Sequence, residues 1–219
     1  MRTAVLFVAA VVALGFVISP VLAQRLALVA PTPPAAEMPA EDIVWEERAL
    51  GDAAAPVTIY EYASLTCGHC AAFHELVLPH VKSELIDTGK ARLVYRDFPL
   101  NAGAVKAATL ARCMPASRFF PFIASVYQTQ QSWAHGEDVE GSLVKLAALA
   151  GLDETRARAC MNHEALELKT VELMREAQMK YRISSTPSFV FYDDKGQQIK
   201  EYKPFTDLMD KHFKDPHKH

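Results

Sequence analysis

The apolar positions change their period several times along the chain, and each change marks an element. Pro56-Val-Thr-Ile-Tyr-Glu-Tyr-Ala63 is β-branched and aromatic with a single charge, which predicts a central strand. Thr66 then offers an N-cap hydroxyl, and Cys67-Gly-His-Cys-Ala-Ala-Phe-His-Glu-Leu-Val-Leu reads as a helix as far as Pro79, where a kink or restart carries it to about Gly89. Ala91-Arg-Leu-Val-Tyr-Arg-Asp-Phe98, closed by Pro99, is a second strand. Strand, helix and strand in this order predict a right-handed crossover with parallel pairing.

Residues 103 to 181 read as helical almost throughout: Ala104 to Met114, Pro115 to Gln131, Val139 to Ala150, Glu154 to Asn162 and Ala165 to Tyr181. In the third of these, Val139, Leu143, Leu146, Ala147 and Ala150 make one apolar face, so the helices need one another for a core. Phe119, Phe120, Phe122 and Trp133-Ala-His135 read as part of that core rather than as a cofactor box. After Ser184-Ser-Thr-Pro187 the period returns to two. Ser188 to Tyr192, a turn at Asp193 to Gly196, and Gln197 to Tyr202 predict a hairpin. A short helix from Pro204 to Lys211 closes the chain, and His212 to His219 reads as a solvated tail.

The N-terminus sets the compartment. Arg2 precedes an apolar run from Ala4 to Ile18, then Ser19-Pro20 and the small-residue site Val21-Leu22-Ala23, the pattern of a secretory signal cleaved after Ala23. A run of 15 residues is short for a bilayer span of about 20, which leaves an uncleaved anchor as the weaker alternative. Residues 24–43 carry Pro31, Pro33, Pro34 and Pro39 among Ala and Glu, an extended tether.

Composition narrows the chemistry. Half of the 219 residues are hydrophobic, enough for a real core, while 23 Lys plus Arg against 26 Asp plus Glu gives a net charge of −3 and no electrostatic footprint for nucleic acid. Four cysteines are too few for a disulfide scaffold, yet two of them form Cys67-Gly-His-Cys70. At a helix start, the unpaired amides and the dipole favour the thiolate, so Cys67 is expected to be the acidic, exposed nucleophile and Cys70 the resolving thiol. An imidazole at His69 would stabilise the thiolate further, and Gly68 adds freedom at the first helical position. A zinc site needs two more ligands at suitable spacing, which Cys113 and Cys160 do not supply and His74 would offer only from the wrong turn; a c-type haem site is excluded because Ala71 stands where it needs His. No metal and no bound cofactor are expected.

The strand Tyr60-Glu-Tyr-Ala-Ser-Leu-Thr before Cys67-Gly-His-Cys70, about 80 helical residues, and then Ser185-Thr-Pro-Ser-Phe-Val resemble the DsbA branch of the thioredoxin superfamily over about residues 44 to 212. The resemblance implies an α/β, thioredoxin-like fold with an inserted helical domain: a first part at 44–102, the insertion at 103–181, and a second part with the C-terminal helix at 182–219. It also implies a cis Thr186-Pro187 peptide against the active-site cysteines, forming the substrate-docking loop. Glu61 falls where the family places a buried acid that moves protons to and from the resolving cysteine. The alternative for Glu61 is a solvent-facing strand residue, and Arg92 and Arg96 are its candidate partners. For Cys113 and Cys160 the resemblance favours a structural disulfide over two buried free thiols, closing a loop of 47 positions worth up to roughly 4 kcal/mol.

The resemblance implies a monomeric periplasmic enzyme that introduces disulfides into reduced, newly exported proteins and is reoxidised by a quinone-linked, DsbB-type membrane partner. Gly68-His69 is the pair of the eukaryotic disulfide isomerases, where DsbA carries Pro-His, and Thr186 is similar to the bacterial isomerases. An isomerase or reductase is therefore the first alternative, and a non-catalytic binder of unfolded chains the second.

Overall fold

The computed structural model describes residues 45–213; the expected signal segment, the tether, His217 and His219 lie outside the described residues. Strands β1 (Arg48–Leu50), β2 (Val57–Ala63), β3 (Arg92–Asp97), β4 (Ser188–Asp193) and β5 (Gln198–Ile199) form one sheet in the order β1-β3-β2-β4-β5. Central β2 runs parallel to β3, the pairing that the strand, helix, strand order predicts, and antiparallel to β4. Its alternation places Ile59, Glu61 and Ala63 on one face and Tyr60 and Tyr62 on the other.

Helix α1 occupies residues 68–86 and is not uniform. Its α-helical segments Gly68–Ala72 and Leu78–Val81 are each followed by a wide π turn, Phe73–Val77 and Lys82–Ile86. Pro79 has no N–H to donate and its ring crowds the carbonyl four residues back, so a π turn just before it keeps the helix going where a kink or restart is expected. The helix ends at Ile86, short of Gly89, which takes the left-handed conformation (φ 72°) that releases the chain toward β3.

Between β3 and β4 lie α2 (Ala102–Arg112), α3 (Ala116–Gln128), α4 (Gln130–Trp133), α5 (Val139–Leu149), α6 (Glu154–Met161) and α7 (Glu164–Tyr181). Several starts are written in the sequence: side-chain oxygens of Asn101, Asp138 and Asp153 accept from the N–H groups of Ala104, Gly141 and Arg156. Phe119, Phe122 and Trp133 are buried among these helices, and His135 is exposed. Helix α8 (Lys203–His212) packs with α1 against one sheet face through Phe73, Val77, Phe205 and Leu208, and α7 covers Tyr62 and Val190 on the other.

Three sequence expectations change, and one strand is found that the pattern does not predict. Thr66 is not the N-cap of α1: Cys67 holds that position with extended backbone (φ −89°, ψ 119°), and the Thr66 hydroxyl instead pairs with Ser64 Oγ and accepts from Asn101 Nδ2, both at 3.2 Å. The second hairpin strand shrinks to Gln198–Ile199, because it is a polar edge in which Ile199 packs against the core. His212 is no part of a solvated tail; it ends α8 and stacks on His80 at 3.6 Å. Strand β1, three residues long, carries too little pattern to be read. It is held on the sheet edge by pairing with β3 and by Arg48, whose guanidinium donates to the carbonyls of Arg112 and Met114.

Arg112 ties the sheet to the helices. Fully buried, it binds Asp97 at 2.6 Å, donates to the carbonyl of Glu46 at 2.7 Å, and lies between the rings of Trp45 and Phe119. Carboxylate, carbonyl and two aromatic faces together compensate a charge that would otherwise be costly to bury.

Candidate active site

β2 delivers the chain to the site through Ser64-Leu-Thr66. The N–H of Cys67 donates to the carbonyl of Ser64 at 3.0 Å, and buried Gln130 on α4 donates from one nitrogen to the carbonyls of Leu65 (2.8 Å) and Cys67 (3.1 Å). The helical insertion thus fixes the turn that carries the first cysteine. Gln130 carries no motif, and no pattern in the sequence singles it out.

Cys67 and Cys70 are free thiols. Cys67 is only 8% exposed, less than an exposed nucleophile should be, because the loop with the cis Thr186-Pro187 peptide lies over it; its Sγ is 3.2 Å from the carbonyl oxygen of Thr186. The Cys67 thiol is nonetheless acidic, down to about 5. The main cause is a hydrogen bond from the Cys70 thiol; burial opposes it, and the Thr186 side chain and the N–H groups of Cys70 and His69 add to it. Those N–H groups belong to the first turn of α1. Cys70 is wholly buried and its thiol is pushed well up, first by desolvation, then by the hydrogen bond and charge of Cys67 and by the charge of Glu61. The two sulfurs are therefore chemically unlike: one is a thiolate at neutral pH and the other a thiol.

Glu61 is completely buried, not solvent-facing. Arg92 and Arg96 do not reach it. Cross-strand register sets Arg96 opposite Tyr62 and Arg92 opposite Thr58, on the far face of the sheet, where both bind Glu47 at 2.6 Å. The partner of Glu61 is His74, whose Nε2 is 2.8 Å from Oε1, while Oε2 is buried with no hydrogen-bond partner among the described residues. Around this pair stand Tyr95, cross-strand neighbour of Glu61, and Tyr127 of α3, their hydroxyls 2.9 Å apart and the Tyr127 ring 4.5 Å from that of His74. Both phenols are held well above their ordinary acidity, by desolvation first and then by nearby charge, so they act as neutral hydrogen-bonding groups. From the sequence, His74 reads only as a zinc ligand on the wrong turn. The signal was its position four residues after Cys70, on the same helix face.

His69 is partly exposed beside the cysteines, its ring 6.2 Å from that of Phe213 at the end of α8. Cys113, at the C-cap of α2, is bonded to Cys160 of α6, with Cα atoms 6.1 Å apart. His80, Glu84 and His212 bring ligand atoms within 4.8 Å of one another, but the two imidazoles are stacked 11° from parallel, so their lone pairs run side by side instead of converging. Among the described residues no helix is long and apolar enough to cross a membrane.

A six-helix insertion after the parallel β2-β3 pair, with two cysteines two residues apart facing a cis-proline loop, defines a thioredoxin-like class. Residues 44–211 match the family model described as Thioredoxin. The crystal structure of Wolbachia pipientis alpha-DsbA1 superposes with a TM-score of 0.67 at 34% identity, covering 78% of this chain and 92% of that one. The chain belongs to the thioredoxin family, in its DsbA-like branch. Oxidised BdbD from Bacillus subtilis shares the fold, with a TM-score of 0.60 at 20% identity over 75% of this chain and 90% of that one. A Rickettsia prowazekii protein provisionally named a protein-disulfide oxidoreductase is 29% identical over 144 residues, 65% of this chain and 53% of that protein. The chain thus spans about half the length of that relative.

Proposed function

We propose that this protein is an exported thiol:disulfide oxidoreductase that introduces disulfides into other exported proteins. The observation that carries the reading is the unequal pair: Cys67 acid at about 5 beside a wholly buried Cys70 whose thiol is pushed up. A substrate thiolate attacks Cys67 Sγ of the oxidised enzyme, the Cys67–Cys70 bond breaks, and Cys70 leaves and takes up a proton. A second substrate thiolate then attacks the substrate sulfur of the mixed disulfide and expels Cys67 as a stable thiolate. The substrate has lost two electrons and the enzyme has gained them. Because the released Cys67 is a good leaving group, the reduced enzyme is favoured over the mixed disulfide, which is the property of an oxidant.

Thr186 and Pro187, over the cysteines, would dock the substrate chain, and His69 would add to the electrostatic support of the Cys67 thiolate. Cys113–Cys160 would brace the helical insertion without taking part in exchange. The signal-like run from Ala4 to Ile18 supports a periplasmic enzyme, which we take to act as a monomer, and the likeness of the chain to DsbA supports reoxidation by a quinone-linked, DsbB-type membrane protein; the exchange itself needs no cofactor. Gly68-His69 favours disulfide isomerisation as the second reading. Oxidation of a reduced two-cysteine peptide, run beside refolding of a scrambled multi-disulfide protein, separates the two. Fast peptide oxidation with slow reshuffling is expected, and the reverse order identifies an isomerase. Unaltered chain-holding activity in Cys67→Ser, with no exchange in the wild type, would instead mark a non-catalytic binder.

A further inference from the structure

Cys70 must gain a proton each time the active-site disulfide opens and lose one each time it closes, yet it is sealed from solvent. Glu61 is equally sealed. His74, its side chain 4% exposed, is the member of the group that lines a recess, of about 30 Å³, together with Ala71, Glu75, Ala124, Tyr127 and Gln128. Glu75 and Gln128 on its rim are exposed, so the recess meets bulk water, and its volume holds one water molecule. The imidazole and the residues Glu75 and Gln128 supply polar groups of its lining. On the inner side, the unpartnered Oε2 of Glu61 is the carboxylate atom that the protein leaves available.

We propose that His74 is a relay residue that carries the Cys70 proton between Glu61 and water in the recess between α1 and α3. The inference rests on the exchange chemistry proposed above and assigns it a proton path. When the disulfide is opened by a thiolate, the Cys67–Cys70 bond breaks and Cys70 leaves as an anion. Glu61 gives it a proton from Oε2, His74 Nε2 returns a proton to Oε1, and water in the recess reprotonates the imidazole at Nδ1. Reoxidation runs the same path outward. The groups facing the imidazole are Glu61 from β2, Tyr95 from β3 and Tyr127 from α3, with Glu75 at the outer rim. The two phenols stay neutral, so the carboxylate and water are its exchange partners.

The test is stopped-flow reduction of the oxidised full-length protein by dithiothreitol, in H2O and D2O, for wild type, His74→Gln, His74→Ala and Glu61→Gln. It needs no natural substrate, so it still reads the relay if the substrate class proposed above is wrong; a wild type that is not reduced at all overturns that function and not the path. His74→Gln is expected to slow the release of Cys70 roughly 100-fold, the lower end of what a positioned proton-transfer group contributes. It should leave the acidity of Cys67 and the final reduced fraction unchanged. The double variant of His74 and Glu61 should be no slower than either single variant. Added imidazole should restore His74→Ala, a response that a packing defect cannot give. Wild-type rates in His74→Gln, or a slow His74→Ala that imidazole does not rescue while its thermal unfolding is unchanged, would overturn the proposal.

Discussion

The carbonyl oxygen of Thr186 lies 3.2 Å from Cys67 Sγ across 119 residues of chain, so the helical insertion closes on the site it interrupts. The Thr186 hydroxyl is buried with no hydrogen-bond partner among the described residues, and its nearness is one of the causes that hold the Cys67 thiol below its ordinary value. Thr186→Val keeps the shape and removes the donor. The acidity midpoint of Cys67, followed by thiolate absorbance, should then rise by about one pH unit or more, the worth of one hydrogen bond to a charged group. An unchanged midpoint would assign the low value to Cys70 and the helix amides alone.

The acid Cys67 also fixes how redox behaviour depends on pH. Its folded value of about 5 lies below the ordinary 9.0, so its contribution to the stability of the reduced protein is complete above pH 9, shrinks steadily below it, and is gone below about 5. Between those limits, reduction consumes two electrons and one proton, because Cys70 is protonated and Cys67 is not. The potential of the pair should fall by about 30 mV per pH unit above pH 5 and by about 59 mV below it. A slope of about 59 mV through neutrality would show that Cys67 is a thiol there.

The bond from Cys113 to Cys160 joins the end of α2 to α6 and closes a loop of 47 positions. Replacing both by Ala should lower unfolding free energy by about 4 kcal/mol or somewhat less in the chain-entropy model, measured by urea titration. Peptide oxidation by the remaining pair should continue at the wild-type rate, and its loss would draw the second pair into the exchange.

Asp97→Asn leaves the Arg112 guanidinium buried between Trp45 and Phe119 without its counter-charge. The expected loss is about 3–5 kcal/mol in the same titration, larger than for either charge at an exposed pair such as Lys203–Asp207.

What the sequence disclosed was local and periodic. The β2–α1–β3 unit follows from β-branched runs on either side of an amphipathic helix, and the cysteine pair announces itself by spacing at the helix start. The insertion is legible from helical apolar faces such as that of Val139, Leu143, Leu146, Ala147 and Ala150. What escaped were partnerships across the fold. Arg92 and Arg96 were plausible partners for Glu61 until strand register placed them on the opposite face, and His74 had no reason to be chosen without knowing that α1 lies over that side of β2. Gln130 acts through two carbonyls 63 and 65 residues away, a relationship no local pattern encodes. Burial of Cys67 likewise depends on a loop more than a hundred residues further on.

The measurement closest to the central claim is the equilibrium of the Cys67–Cys70 pair with glutathione at neutral pH, read by alkylation and mass. A reduction potential at or above about −180 mV, the range of disulfide isomerases and stronger oxidants, is expected from a thiolate this acid. A value near about −270 mV, that of a thioredoxin reductant, would contradict it.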